Sequence, residues 1–433
     1  MQQKSKAPTI IAVIIILLAG AGFAFWYFFM NGPGSSLTPA VNVTGTPGYT
    51  PFGRIPQPAN GPITTSTTTN NGATTINQNP GVNGPIPTLR MLSGTPVGGY
   101  GASTTASTTI IRWLDRGKGD IYEAAGDSTT VTTLSNTTLP RVYQSVWNKT
   151  LTAFVGSMLP DGGVTPTTIY AELKKHSAVA STSNNELATT PFELKGNNLP
   201  SSIVDYAISP KADKVFLFAN ENGTGSGYVA NLNGSSLTRI FTTPLTQINI
   251  SWPETNTIAI TTKGSISQPG FLYFVDPKTG AWKKILGPIA GLSAVVSHDG
   301  KYVIASSAGH NQDVETAIFD VTKGSYTDAI FKTLADKCAW GNFYKEIVYC
   351  AVPSQPVSGA YPDDWYQSKI STADKIWQTN VKTGEIHLVS SIVDQSDRTI
   401  DIFNMGLDAK DNYLMFMNKD DLSLWLLNLI SSH

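Results

Sequence analysis

AISPKADKVFLF at Ala207–Phe218, SWPETNTIAI at Ser251–Ile260, VSHDGKYVIA at Val296–Ala305 and AWGNFYKEIVYC at Ala339–Cys350 repeat one phrase. Each is an apolar strand, a polar turn and a second apolar strand. The phrase returns as LDAKDNYLMF at Leu407–Phe416 and, more loosely, as VWNKTLTAFV at Val146–Val155. The residues ending the first strand are Trp147, Ile208, Trp252, Val296, Trp340 and Leu407. Those from Ile208 to Trp340 are spaced 44 residues apart, and the outer gaps are longer, as loop insertions would make them. A period of about 40–45 residues with several strands per repeat is the signature of a β-propeller.

The remainder of each repeat agrees. A third strand runs into an Asp- or Asn-led turn closed by Gly, as in FLYFVDPKTG at Phe271–Gly280, TAIFDVTKG at Thr316–Gly324 and IWQTNVKTG at Ile376–Gly384. Gly at that place suits a tight turn that needs positive φ. A fourth, more polar strand follows, WKKIL at Trp282–Leu286 and IHLV at Ile386–Val389. Residues 108–135 supply three more strands, TIIRWLD, DIYEAA and TTVTTLS, which make a first blade without the phrase. The count is then seven. The last blade, after Leu407, holds three strands, and Leu89–Leu92 is expected to give the fourth, leaving no open sheet edge. The expected fold class is all-β, a seven-bladed propeller closed by an N-terminal strand. Trp147, Trp252 and Trp340 recur at one blade position, which predicts packing between blades.

SPKADKVFLF and SHDGKYVIA, each with D-x-x-T-G or a variant about 20 residues on, resemble the WD-repeat-like blades of the TolB-type periplasmic propellers over roughly residues 88–430. DRGKGDIYE (Asp115–Glu123), LSNTTLPRVYQSVW (Leu134–Trp147), KCAW and YCAVP (within Lys337–Pro353) and YPDDWYQ (Tyr361–Gln367) also resemble uncharacterised membrane-anchored propellers of bacteria. The first resemblance implies a propeller in the cell envelope. TolB-type proteins carry an extra N-terminal α/β domain, whereas this chain has an apolar run and a polar linker, so their partner binding transfers only as analogy.

That N-terminal run shapes the rest of the organisation. Met1–Lys6 is polar and basic, and Pro8–Met30 is uncharged and strongly apolar. About 20 residues of helix cross a hydrocarbon core of roughly 30 Å, and a spanning backbone must bond to itself. Lys4 and Lys6 precede the run, and the next charge is Arg54, so the positive-inside rule puts the N-terminus in the cytoplasm. Phe25, Trp26, Tyr27 and Phe28 fall at the outer interface. A cleaved signal peptide is the rival reading, with small-x-small sites at Ala19–Ala21 and Gly22–Ala24, but the apolar run continues past both. Residues 31–87 are rich in Pro, Gly, Thr, Asn and Ser, and are expected to be a disordered linker with a span on the order of 40 Å. The expected divisions are 1–30 (cytoplasmic stub and transmembrane signal-anchor), 31–87 (linker) and 88–433 (propeller), with the propeller outside the cytoplasm, at the cell surface or in the periplasm.

Residues 1–114 contain no Asp or Glu, and the whole chain has a formal net charge of −1. There is no basic excess to draw nucleic acid, which is not expected as a partner. Cys338 and Cys350 flank a hairpin and fall opposite each other on adjacent strands. A disulfide is feasible there in an oxidising compartment, and two buried thiols are the alternative. Motifs for a serine hydrolase elbow, a phosphate loop, paired metal-binding histidines or an EF-hand are missing, so no catalytic residue, metal or cofactor is assigned. His298 reads as a turn residue.

Two insertions remain. His176–Pro200 is polar and reads as a flexible surface loop. Pro353–Asp374 gathers Tyr361, Asp363, Asp364, Trp365 and Tyr366, an acidic and aromatic set suited to binding. The plainer reading folds this loop back with Trp365 packed on the blade. The expected function is a membrane-tethered protein-binding or scaffold module of the cell envelope, its partner an envelope protein. The alternatives are a glycan or cell-wall binder with exposed aromatics, or a polysaccharide lyase or hydrolase with acids converging in the central funnel. A reporter fused after Met30 is expected to be active only outside the cytoplasm; activity inside would refute the topology.

Overall fold

The computed structural model describes residues 86–433 except 140, 161–162, 164, 176–189, 310–312, 358 and 431–433. The expected transmembrane segment and nearly all of the expected linker lie outside the described residues. Among the described residues, no helix is long and apolar enough to cross a membrane.

Seven four-stranded antiparallel sheets form the chain into a β-propeller. With strands lettered a to d in each blade, the innermost a strands of blades 1–7 are Val97–Thr104, Val142–Trp147, Ile203–Ile208, Ile248–Glu254, Ser293–Val296, Cys338–Trp340 and Ile402–Leu407. The d strand of blade 7 comes from the other end of the domain. Leu89–Ser93 pairs antiparallel with Leu424–Asn428, Leu89 opposite Leu427 and Met91 opposite Trp425. This is the closure expected from Leu89–Leu92.

Two elements differ from the sequence reading. Blade 1 has a fourth strand, the inner Val97–Thr104 (VGGYGAST). Its glycines hide it from a hydrophobic pattern, yet they are what lets it pack. A Cβ on Gly98 would sit 2.4 Å from the Val142 carbonyl oxygen, and one on Gly101 would sit 2.7 Å from Trp147 Cβ, both in blade 2. The second difference is Phe192–Asn198, read as part of a loop. It is the d strand of blade 2, paired from Ile169↔Asn198 to Lys175↔Phe192. An outer strand with one buried edge needs few apolar residues, so its pattern is weak.

The core has no single centre. It divides into apolar clusters, one at each interface between neighbouring blades, from Leu114, Val142 and Phe154 (blades 1 and 2) to Ile376, Ile402 and Leu414 (blades 6 and 7). Trp147, Trp252 and Trp340 each lie in such a cluster, as their common position predicts. Trp340 stacks on Tyr302 of the preceding blade, and its indole N–H donates to the Val295 carbonyl at 3.0 Å. Cys338 and Cys350, directly opposed on strands a and b of blade 6, form a disulfide.

The third-strand turns behave as read. Asp276 and Asp320 each accept two backbone amides of their own turns, at 2.8–3.0 Å, and so does Asn380, at 2.9 and 3.2 Å. Gly280, Gly324 and Gly384 follow at φ 71°, 69° and 77°.

Candidate functional site

In an antiparallel blade the a–b and c–d turns end at one pole of the ring, and the b–c and d–a links end at the other. The b–c link of blade 3 is only Asn222–Gly223. That of blade 6 runs from Ser354 to Ala373, contains a short helix, Asp363–Tyr366, and straps its pole across four blades. The Asp363 carboxylate accepts the Ser265 hydroxyl and the Ile266 amide of blade 4, both at 2.8 Å. Val314 of blade 5 packs with Tyr361 and Trp365. The Tyr366 hydroxyl donates to Asp336, on the link between blades 5 and 6. In blade 7, Lys419 donates to Ser368 at 2.8 Å, and Ser371 donates to Asp420 at 2.9 Å.

A buried ionic cluster pins the middle of this strap. Lys337 is fully buried, and its ammonium lies 2.7 Å from Asp374, 2.5 Å from Asp401 and 2.6 Å from the Thr372 hydroxyl. The Trp365 indole N–H donates to both Asp401 oxygens at 2.9 and 3.0 Å. Its ring carries a second cation, with Lys337 Nζ 5.2 Å and Lys419 Nζ 5.1 Å from the ring centroid. Burial works against the charge on Lys337, but the two carboxylates outweigh it and hold its pKa above the ordinary lysine value. Burial pushes Asp374 up, and Lys337 pulls it back. Asp374 also accepts the Ile402 amide at 2.7 Å, which binds blade 6 to the inner strand of blade 7.

The structure therefore brings the five sequence-selected residues together and turns most of them inward. Tyr361 is 0% and Trp365 2% exposed. Asp363 is committed to blade 4, Tyr366 to Asp336, and Asp364 to the Ala360 amide and Lys369. Trp365 does not offer the exposed ring that a glycan platform would use.

At the opposite pole the a–b turn of blade 6 presents two aromatics, Phe343 (63% exposed) and Tyr344 (48%), with rings edge to face 4.8 Å apart. Their turn is held from blade 7. Asp411 accepts the amides of Asn342, Phe343 and Tyr344 at 2.7, 3.1 and 2.9 Å, and Asn342 donates to the Leu407 carbonyl at 2.8 Å. Burial raises the Asp411 pKa, with those amides opposing. His298 is exposed in the neighbouring a–b turn. The sequence reading passed over Phe343 and Tyr344 as turn residues. The available signal was two aromatics at the tip of GNFYKE, where blade packing has no need of them.

In the channel wall, Asp205 accepts the Tyr206 amide and, from blade 4, the Ile250 amide, both at 2.8 Å. Burial pushes its carboxyl up to about 7, with the two amides opposing. Among the described residues, no three His, Cys, Asp or Glu side chains are grouped to hold a metal ion.

No protein-family model and no curated protein matches the chain. Solved propellers do. TolB from Acinetobacter baumannii is 13% identical, matching 74% of this chain and 63% of that protein, under two thirds of its length, with a TM-score of 0.39. An oligogalacturonate lyase in complex with manganese is 12% identical over 78% of this chain and 97% of that one, with a TM-score of 0.47. An acylaminoacyl peptidase from Pyrococcus horikoshii is 10% identical over 77% and 52%, with a TM-score of 0.46. These likenesses concern the fold.

Two outcomes test this geometry. Lys337→Ala leaves two buried carboxylates without their cation and is expected to cost about 3–5 kcal/mol in urea unfolding, with faster tryptic cleavage after Lys369. An unchanged cleavage rate would mean that the cluster does not hold the strap. For Asp205, a raised carboxyl contributes stability fully present below its unfolded pKa of about 3.9 and lost as pH rises toward 7. Asp205→Asn should flatten the stability profile between those values, and an identical profile would contradict the shift.

Proposed function

We propose that the chain is a membrane-tethered, extracytoplasmic propeller that binds an envelope protein and serves as a scaffold, and that its recognition surface is the a–b turn pole around blades 5–7. The observation that carries this reading is the Phe343–Tyr344 pair, whose own backbone amides donate to a carboxylate of a neighbouring blade. Aromatic anchors supply much of the binding energy in protein interfaces, and an anchor whose loop is already ordered loses little entropy on binding. Three amides on Asp411 fix this turn before any partner arrives. The strap residues Tyr361, Asp363, Asp364, Trp365 and Tyr366 support the site by rigidifying the ring rather than by touching the partner.

The tether fits the same role. A helix through residues 8–30 and a linker through 87 would confine the propeller near the membrane and raise its effective concentration toward anchored partners. Leu89 begins the closing strand opposite Leu427, at the end of the preceding strand, so the chain enters the domain at the turn pole.

The test is in-cell crosslinking of the tagged full-length chain, followed by mass spectrometry. The Phe343→Ala/Tyr344→Ala variant should keep its stability to within about 0.5 kcal/mol, since both rings are exposed. It should lose about tenfold or more of a stoichiometric partner. Retention of the partner here, with loss on Trp365→Ala at matched folding, would move the site to the strap. Co-purifying glycan without protein would favour the cell-wall reading.

A further inference from the structure

Most lysine ion pairs among the described residues keep the lysine side chain 48–74% exposed. Lys337 is the exception, for it and both of its carboxylate partners are 0% exposed. Lys337 immediately precedes the inner strand of blade 6, Asp374 opens the c strand of that blade, and Asp401 immediately precedes the inner strand of blade 7.

The contacts among these groups are those of an amide's precursors. Lys337 Nζ lies 2.5 Å from one oxygen of Asp401. The carboxyl carbon is at most one C–O bond farther, close to the roughly 3–3.5 Å at which reacting atoms stand before attack. Both Asp401 oxygens accept the Trp365 indole N–H, at 2.9 and 3.0 Å, where it meets any charge that develops on them. Asp374 stands 2.7 Å from the same Nζ, and the Thr372 hydroxyl oxygen lies 2.9 Å from Asp374 and 3.0 Å from Asp401. Lys337 rests as the ammonium, one cation between two buried carboxylates. Condensing one pair into an amide removes two charges from the interior, and burial excludes the water that would reverse the step.

We propose that Lys337 and Asp401 condense spontaneously into an intramolecular amide, with Asp374 as the proton carrier. The ammonium passes one proton, through Asp374, to an oxygen of Asp401, which leaves a neutral amine beside a neutral carboxyl. The nitrogen lone pair adds to the Asp401 carboxyl carbon, and the charge that gathers on the other oxygen falls to the Trp365 N–H. Asp374 then takes a second proton from the nitrogen and gives it to the departing hydroxyl. The C–O bond breaks, water leaves and the C–N bond remains, so atoms and charge balance without a co-reactant. The bond would join the inner strands of blades 6 and 7 through residues 64 apart in sequence, next to the Cys338–Cys350 disulfide.

Mass spectrometry of the full-length chain in detergent, with the disulfide reduced, tests this on the wild-type protein. The intact mass should be lower than that of the sequence by one water. In a tryptic digest, cleavage after Lys337 should fail, and residues 333–345 should appear joined to residues 399–410. Asp401→Asn should lose ammonia in place of water. Asp374→Asn should slow formation of the linked peptide by about a hundredfold or more. An intact mass equal to that of the sequence, with cleavage after Lys337, would overturn the proposal, as would linkage to residues 370–375, the peptide that holds Asp374.

Discussion

Each blade interface in this ring needs an apolar face on both sides, and the last of them is completed by Leu92 of Leu89–Ser93, the strand that pairs with Leu424–Asn428. Without that pairing the blade 7 sheet would end on an open edge, and Leu92 would be missing from the cluster shared with blade 1. Because the core is distributed over the interfaces and has no centre, the failure of one interface opens the ring instead of leaving a smaller intact core. Closure is also costly in chain entropy, since it joins residues from opposite ends of the domain.

Carboxylates that cross between blades gather around this seam. Asp408 of blade 7 accepts the Thr104 and Thr109 hydroxyls of blade 1, both at 2.9 Å. Asp411 of blade 7 holds the blade 6 turn, and Asp374 of blade 6 holds the first residue of the blade 7 inner strand. Directional bonds of this kind specify register where apolar packing alone would tolerate a slip. The strap extends the same device to blades 4 and 5 through Asp363 and Val314. One pole is thereby braced through Lys337 and Trp365, and the ordered turn of Phe343 and Tyr344 stands at the other.

Much of the architecture was legible in the residues because a propeller repeats its own grammar. The 44-residue spacing, the Asp- or Asn-led turns and the opposed cysteines are local signals, and each reappears as read. The closing strand was legible by arithmetic, since blade 7 lacked one. Val97–Thr104 was not, because its glycines serve contacts in blade 2 that no local pattern records. The five strap residues were chosen for their chemistry, and all five lie on the one long link of blade 6. The plainer reading, with Trp365 packed on the blade, is the arrangement found; what holds it there was hidden, because Lys337, Asp374 and Asp401 meet from positions far apart in sequence. Phe343 and Tyr344 look like ordinary apolar residues until the turn that carries them is placed at a pole.

We propose that the strap braces one pole while the opposite turn meets the partner. Hydrogen-exchange mass spectrometry of the propeller, free and in the complex recovered from cells, tests it most directly. New protection is expected in residues 341–346 and adjoining a–b turns, with the strap, residues 354–373, exchanging as it does in the free protein. Protection gained in 354–373, with 341–346 unchanged, would contradict it.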